Sequence, residues 1–294
     1  MNETVKLIGN TPMYHIEGTN VYVKLEKYNI GGSIKDRAVL GMLNHALHEH
    51  LIDQDSILIE ATSGNTGVAL AMLGAVYHIP VVIIMPETMS MERRQLVKAY
   101  GAKLILTPGA AGMQGAMDEM HRLMKEDARY KALSQFDNPQ NPNAHYETTG
   151  KEILEQVPNI DMFVACVGTG GTFSGIARRL KEHNPKIQCM AGEPERSAVL
   201  SGRDAGPHKI QGIGANFVPA NFDRELADDI MLISDEDALK ETVNFAKETG
   251  ILVGISSGAN IALAKRLAGC YPSKNIVTIA PDGGEKYLSV LDFD

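Results

Sequence analysis

The strongest constraint on the fold is an alternation that runs almost the length of the chain. Short β-branched and apolar runs occur at Val21 to Leu25, Ile57 to Ala61, Val81 to Met85, Lys103 to Leu106, Met162 to Val167, Ile187 to Ala191 and Ile276 to Ala280. Segments of helical period separate them, at Arg37 to His50, Gly67 to Tyr77, Met91 to Tyr100, Met113 to Lys125, Ala144 to Gln156, Thr172 to His183, Asp235 to Thr249 and Ser257 to Ala268. This is the pattern of parallel sheets whose crossover helices cover their faces. The expected class is α/β, with two doubly wound, mostly parallel lobes. A chain of 294 residues with 44% apolar side chains can give each lobe a core. The break is read at Gln135 to Asn143, where Pro139 and Pro142 among asparagines interrupt the helical rhythm. A smaller lobe then spans 35–138, and a larger one joins 1–34 to 139–294.

Several classes of function are disfavoured. A net charge of -8 with interspersed signs argues against a nucleic-acid or anionic-membrane surface. Small molecules are the expected partners. No apolar stretch is long enough to span a bilayer, and Met1-Asn2-Glu3-Thr4 does not open like a signal peptide, so a cytoplasmic location is expected. Cys166, Cys189 and Cys270 are odd in number and set among apolar neighbours, which suggests buried thiols in a reducing compartment. His45, His48 and His50 have no acidic or cysteine partners at ligand spacing, and no metal site is expected.

Three turns carry the chemistry. Gly168-Thr169-Gly170-Gly171-Thr172 lies between the apolar run ending at Val167 and a helix, where free N–H groups and the helix dipole favour a phosphate. It lacks a glycine at Phe173 for a dinucleotide fingerprint and the Lys-Ser or Lys-Thr of a Walker loop. By itself it is an anion site or a tight turn without ligand. Thr62-Ser63-Gly64-Asn65-Thr66-Gly67 has the same placement, and its hydroxyls and amide suit a carboxylate or an aromatic ring oxygen, though a helix cap would use one of them. Gly254-Ile255-Ser256-Ser257-Gly258 is either an N-cap or part of a site. Lys35 follows Gly31-Gly32-Ser33 and precedes Asp36-Arg37, which places it at a loop-to-helix junction where a lysine can be desolvated enough to form a Schiff base.

Taken in order, these segments resemble the cysteine synthase (O-acetylserine sulfhydrylase) family of fold-type II pyridoxal-phosphate enzymes, whose fold is like that of the tryptophan synthase β chain. The matching segments are Ile8 to Pro12, Ser33 to Arg37, Thr62 to Gly67, Met85 to Ser90, Gln135-Phe136, Gly168 to Thr172, Gln211 to Ala215 and Gly254 to Gly258. The resemblance implies pyridoxal 5'-phosphate held covalently by Lys35, which also moves protons. It implies Asn65 on the cofactor's 3'-oxygen, Gly168, Thr169, Gly170, Gly171 and Thr172 around its phosphate, and Ser256 at the ring nitrogen. Thr62, Ser63, Thr66 and Gln135 would bind the substrate's α-carboxylate, with Gly212 and Asn216 also at the substrate. The implied reaction is β-replacement through α-aminoacrylate, turning O-acetyl-L-serine and sulfide into L-cysteine and acetate. Closure of the smaller lobe would exclude water during it.

Two departures bear on the reaction. Asn216 stands where many cysteine synthases carry glycine, and Pro281-Asp282-Gly283-Gly284-Glu285 replaces a serine-containing version. Asn216 motivates an alternative in which cysteine or serine is the donor, as in a sulfide-releasing lyase or a cystathionine β-synthase. Ser63, where O-acetylserine-dependent cystathionine synthases often have alanine, favours cysteine synthesis. A protein that binds the cofactor or an amino acid without turnover is the remaining alternative. The resemblance further implies a homodimer and a serine acetyltransferase tail as a possible partner.

Overall fold

The computed structural model describes residues 2–89 and 91–291. Among the described residues, ten strands form two sheets: β1 (Met13–His15), β2 (Val21–Leu25), β3 (Ile57–Ala61), β4 (Val81–Pro86), β5 (Lys103–Thr107), β6 (Tyr130–Lys131), β7 (Met162–Cys166), β8 (Gln188–Pro194), β9 (Asp229–Ile233) and β10 (Ile276–Ala280). One sheet runs β5-β4-β3-β6 and is wholly parallel. The other runs β1-β2-β10-β7-β8-β9, where β1 and β2 pair antiparallel and the other described neighbours pair parallel. The helices are α1 (Lys35–His48), α2 (Asn65–Tyr77), α3 (Met91–Ala99), α4 (Gly112–Glu126), α5 (Gln140–Ala144), α6 (Gly150–Gln156), α7 (Gly171–His183), α8 (Asp235–Thr249) and α9 (Ile255–Cys270).

Each sheet is covered on both faces, which is why its central strands lack polar alternation. All six residues of β4 and all five of β7 and β10 are buried. In the smaller sheet, residues of α1 and α2 such as Leu43 and Leu70 pack on one face, and Ala116 of α4 on the other. In the larger, α8 and α9 cover one face through Phe245 and Leu263, while α6 and α7 cover the other through Ile153 and Ile176. The doubly wound class expected from the sequence is the architecture found.

Local departures have local causes. The helix expected over 144–156 is a sequence of α5, a π-helical turn at His145–Thr149 and α6. Strands β1, β6 and β9 were not anticipated: the first two have only three and two residues, and Asp229 opens the third with a charge. Cys166 and Cys189 are buried free thiols, as expected, but Cys270 is exposed at the end of α9 and corrects that expectation. Ser90, the last residue of one matching segment, lies outside the described residues. No described helix is long and apolar enough to cross a membrane.

Candidate active site

The parallel strands deliver their C-terminal ends to a common cleft, where open α/β sheets place ligands. From β3 comes the turn that opens α2, from β7 the turn that opens α7, and from β10 the segment Pro281-Asp282. Together they line a cavity of about 920 Å³ whose walls include Lys35, Thr62, Ser63, Asn65, Thr66, Gln135, Gly168, Thr169, Gly170, Thr172, Gly212, Asn216 and Ser256. Of the site residues that the resemblance implies, Gly171 alone is absent from its wall. It is buried as the first residue of α7.

Lys35 is the first residue of α1, and the turn before it is tied to the far end of the chain. Ile34 donates its N–H to the Pro281 carbonyl at 2.8 Å, and Ser33 bridges to Asp282. Behind Lys35, Arg37 forms paired hydrogen bonds to both Glu26 and Glu152, with its closest contacts at 2.7 and 2.6 Å. Lys24 also reaches Glu152, at 2.7 Å. This cluster anchors α1 to β2 and α6, so the base of the Lys35 side chain has a fixed origin. Its Nζ meets no hydrogen-bonding or ion-pairing partner among the described residues. Burial pushes the Lys35 ammonium below the usual lysine range, partly offset by the Asp282 carboxylate. A desolvated amine without a partner is suited to attack a carbonyl carbon.

The Gly168 turn is shaped for backbone rather than side chains. Gly170 has φ of 85°, and a Cβ there would run into Asn221 and Phe222. A Cβ on Gly168 would meet the Gly212 carbonyl, and one on Gly171 the Asn141 amide. What remains facing the cavity is a helix N-terminus with the Thr169 and Thr172 hydroxyls, an arrangement that fits a phosphate. Asn141 donates from Nδ2 to Thr169 Oγ1 at 3.0 Å and to the Gln135 carbonyl at 2.8 Å, joining this turn to the neighbouring one. Thr172 Oγ1 lies 3.3 Å from Nε2 of His145, whose burial holds its pKa well below the ordinary histidine value. His145 therefore stands as a neutral prop for the turn.

In the Thr62 turn, Thr62 Oγ1 accepts from the Gly64 N–H at 3.2 Å and Thr66 Oγ1 donates to Gln135 Oε1 at 2.7 Å. Asn65 Oδ1 accepts from Lys286 Nζ at 2.8 Å, and Asn65 Nδ2 donates to Asp282 Oδ2 at 2.7 Å. Ser256 is 4% exposed and faces Gly212, whose φ is 95°. Asn216 has φ of 63°, in the left-handed region that glycine and asparagine tolerate best. Its Oδ1 accepts the Ser197 hydroxyl at 2.7 Å. The backbone thus supplies a reason for glycine or asparagine here that is independent of any substrate.

Asn141, His145 and Lys286 were missed in the sequence. The first two fall in the proline- and asparagine-rich stretch read as a lobe boundary, or just beyond it, and nothing local distinguishes Lys286 from a surface lysine.

An amine without a partner, a phosphate cradle at a helix N-terminus and a hydroxyl-lined turn in one cleft define a pyridoxal-phosphate-dependent enzyme of the two-sheet α/β type. The family described as pyridoxal-phosphate dependent enzymes matches residues 5–282. Cysteine synthase B of Campylobacter jejuni is 46% identical over 97% of this chain and 96% of its own. Cysteine synthase from Entamoeba histolytica superposes with a TM-score of 0.94 at 41% identity, covering 99% of this chain and 90% of that one. A hydrogen sulfide-producing enzyme from Fusobacterium nucleatum superposes with a TM-score of 0.91 at 45% identity, covering 98% and 100%. The chain belongs to the cysteine synthase family, and its cofactor is pyridoxal phosphate.

Proposed function

We propose that this enzyme makes L-cysteine from O-acetyl-L-serine and sulfide, releasing acetate. The observation that carries this reading is Lys35 Nζ, desolvated and without a partner, in the same cavity as the Gly168 and Thr62 turns. Lys35 would hold the cofactor covalently, the N–H groups and hydroxyls of Gly168 to Thr172 its phosphate, Ser256 its ring nitrogen and Asn65 its 3'-oxygen. The bound cofactor supplies an electron sink for the α-carbon, and a hydroxyl rather than a carboxylate at Ser256 keeps that sink moderate, which favours β-elimination over more extensive carbanion chemistry. Thr62, Ser63, Thr66 and Gln135 orient the α-carboxylate. With Gln135 Oε1 occupied by Thr66, the amide N–H groups of Gln135 remain for that carboxylate. Freed when the substrate's amine takes its place, Lys35 Nζ takes the α-proton as acetate leaves the β-carbon, and returns it to the α-carbon once sulfide has added at the β-carbon. Gly212 and Asn216 bound the space around the β-substituent.

A second reading, in which cysteine is the donor and sulfide is released, is favoured by the likeness to the Fusobacterium nucleatum enzyme. Measuring cysteine formation from O-acetylserine and sulfide beside sulfide release from cysteine distinguishes the two. The first rate is expected to exceed the second, and the reverse order would overturn the proposal. Borohydride reduction of the holoenzyme followed by peptide mapping should place the cofactor on Lys35. A label on another lysine removes the assignment.

The same proposal includes a mobile lobe of residues 35–138 closing on 1–34 with 139–294, a cytoplasmic homodimer, and a serine acetyltransferase tail as a competitor for the cavity. Its support is the cysteine synthase relatives matched along nearly the whole chain.

A further inference from the structure

Asn65, at the mouth of α2, is held from two sides by residues of the segment after β10. Lys286 Nζ donates to its Oδ1 at 2.8 Å and to the Gly32 carbonyl at 3.2 Å. Asp282 Oδ2 accepts from its Nδ2 at 2.7 Å and from the Tyr287 hydroxyl at 2.6 Å. An ammonium can only donate, so the amide atom facing Lys286 must be oxygen, and the orientation of the amide follows from chemistry alone. One Nδ2 hydrogen is taken by Asp282, which is 1% exposed and buried against Gly254. The hydrogen left over is a donor, and the Lys286 ammonium hydrogen-bonded to Oδ1 polarises the amide and makes that donor stronger.

We propose that Lys286 and Asp282 are positioning residues that lock the Asn65 amide with an N–H toward the cavity, so that the site selects the ionised form of the cofactor's 3'-oxygen. A freely rotating asparagine could offer its carbonyl and accept from a hydroxyl at that place. The lock removes this choice. The clasp also joins the α2 turn to the Asp282–Tyr287 segment, two places far apart in the chain. The ionisable groups around it are Lys35 and Asp36 at the start of α1, and Asp282, Lys286 and Tyr287. The inference rests on the cofactor placement proposed above.

The test is spectroscopic. Wild-type holoenzyme and the variants Lys286→Met, Lys286→Arg and Asp282→Asn are loaded with pyridoxal phosphate. The ratio of the short-wavelength band, from the protonated 3'-oxygen, to the long-wavelength band, from its anion, is followed against pH. Loss of the lock raises the pKa of that oxygen, because the anion loses stabilisation. At a fixed pH the ratio should rise about tenfold in Lys286→Met, equivalent to about one pH unit. Asp282→Asn should shift it in the same direction by less, since taking away the carboxylate charge opposes the loss of the lock, and Lys286→Arg, which also donates, should stay near wild type. In an Asn65→Ala background the Lys286→Met effect should vanish, since Lys286 acts through Asn65. An unchanged ratio in both Lys286→Met and Asp282→Asn, or an equal shift with and without Asn65, overturns the proposal. Should Lys286→Met fail to fold, Lys286→Gln, which keeps a weaker neutral donor, is read by the same criteria with a smaller shift. A wild-type protein that does not bind the cofactor at Lys35 would instead refute the site reading beneath it.

Discussion

A lysine is ordinarily a solvated charge, and Lys35 departs from this because its neighbours fix where it starts and bury where it ends. Its lowered pKa has a consequence for the empty protein. The folded state disfavours the ammonium form relative to the unfolded chain, so stability is withheld below the folded pKa and recovered as pH rises toward the usual lysine value. Lys35→Met should therefore raise the neutral-pH melting temperature of the apoenzyme by a few degrees, on the order of 1 kcal/mol. It should also lower turnover by at least ~10³-fold. A melting temperature below wild type in differential scanning fluorimetry would mean that the amine is not desolvated. Lys35 could be picked out in the sequence because glycines precede it and Asp36-Arg37 follow. Lys286 could not, since its contacts with Asn65 and Gly32 span more than 200 positions of chain.

At the scale of elements, β3 holds an unusual group. Glu60 is 7% exposed within an otherwise apolar strand, and burial, with the charge of Asp137 nearby, pushes its carboxyl up to about 8. A carboxyl raised in the folded state contributes stability that is complete below its unfolded pKa and is lost as pH rises through the folded one. Stability should fall between about pH 4.5 and 8 through this residue. Glu60→Gln should flatten that slope and stabilise the protein at pH 8 by on the order of 1–3 kcal/mol. Chemical denaturation at several pH values checks it, and an unchanged slope would show that Glu60 is not the source. The elements themselves were largely legible. Apolar period located the long strands and helices within a few residues at their ends, apart from β9, which opens on Asp229, and the helix over 144–156, which includes a π-helical turn at His145–Thr149. It could not show that turn, whose His145 braces Thr172 of the Gly168 turn, because a one-residue change of hydrogen-bond register leaves little trace in hydrophobic spacing.

Across the whole molecule, the cleft between the two sheets is where proposed closure acts. If the α-carboxylate draws the Thr62 turn toward the larger sheet, L-serine should slow amide exchange across β3 and α2 more than its methyl ester does. Equal protection by both would speak against carboxylate-driven closure. The sequence alone determined the α/β class and the polar turns between strand and helix, and it singled out Lys35 as a candidate, because these depend on residue types within a few positions of one another. Tertiary structure decided what those pieces face. Only the crossing of β3, β7 and β10 puts the turns around one amine, and only the return of the chain at Asp282 to Tyr287 clasps Asn65. Contacts of that range are set by how sheets and helices pack, and packing is a property of the whole chain.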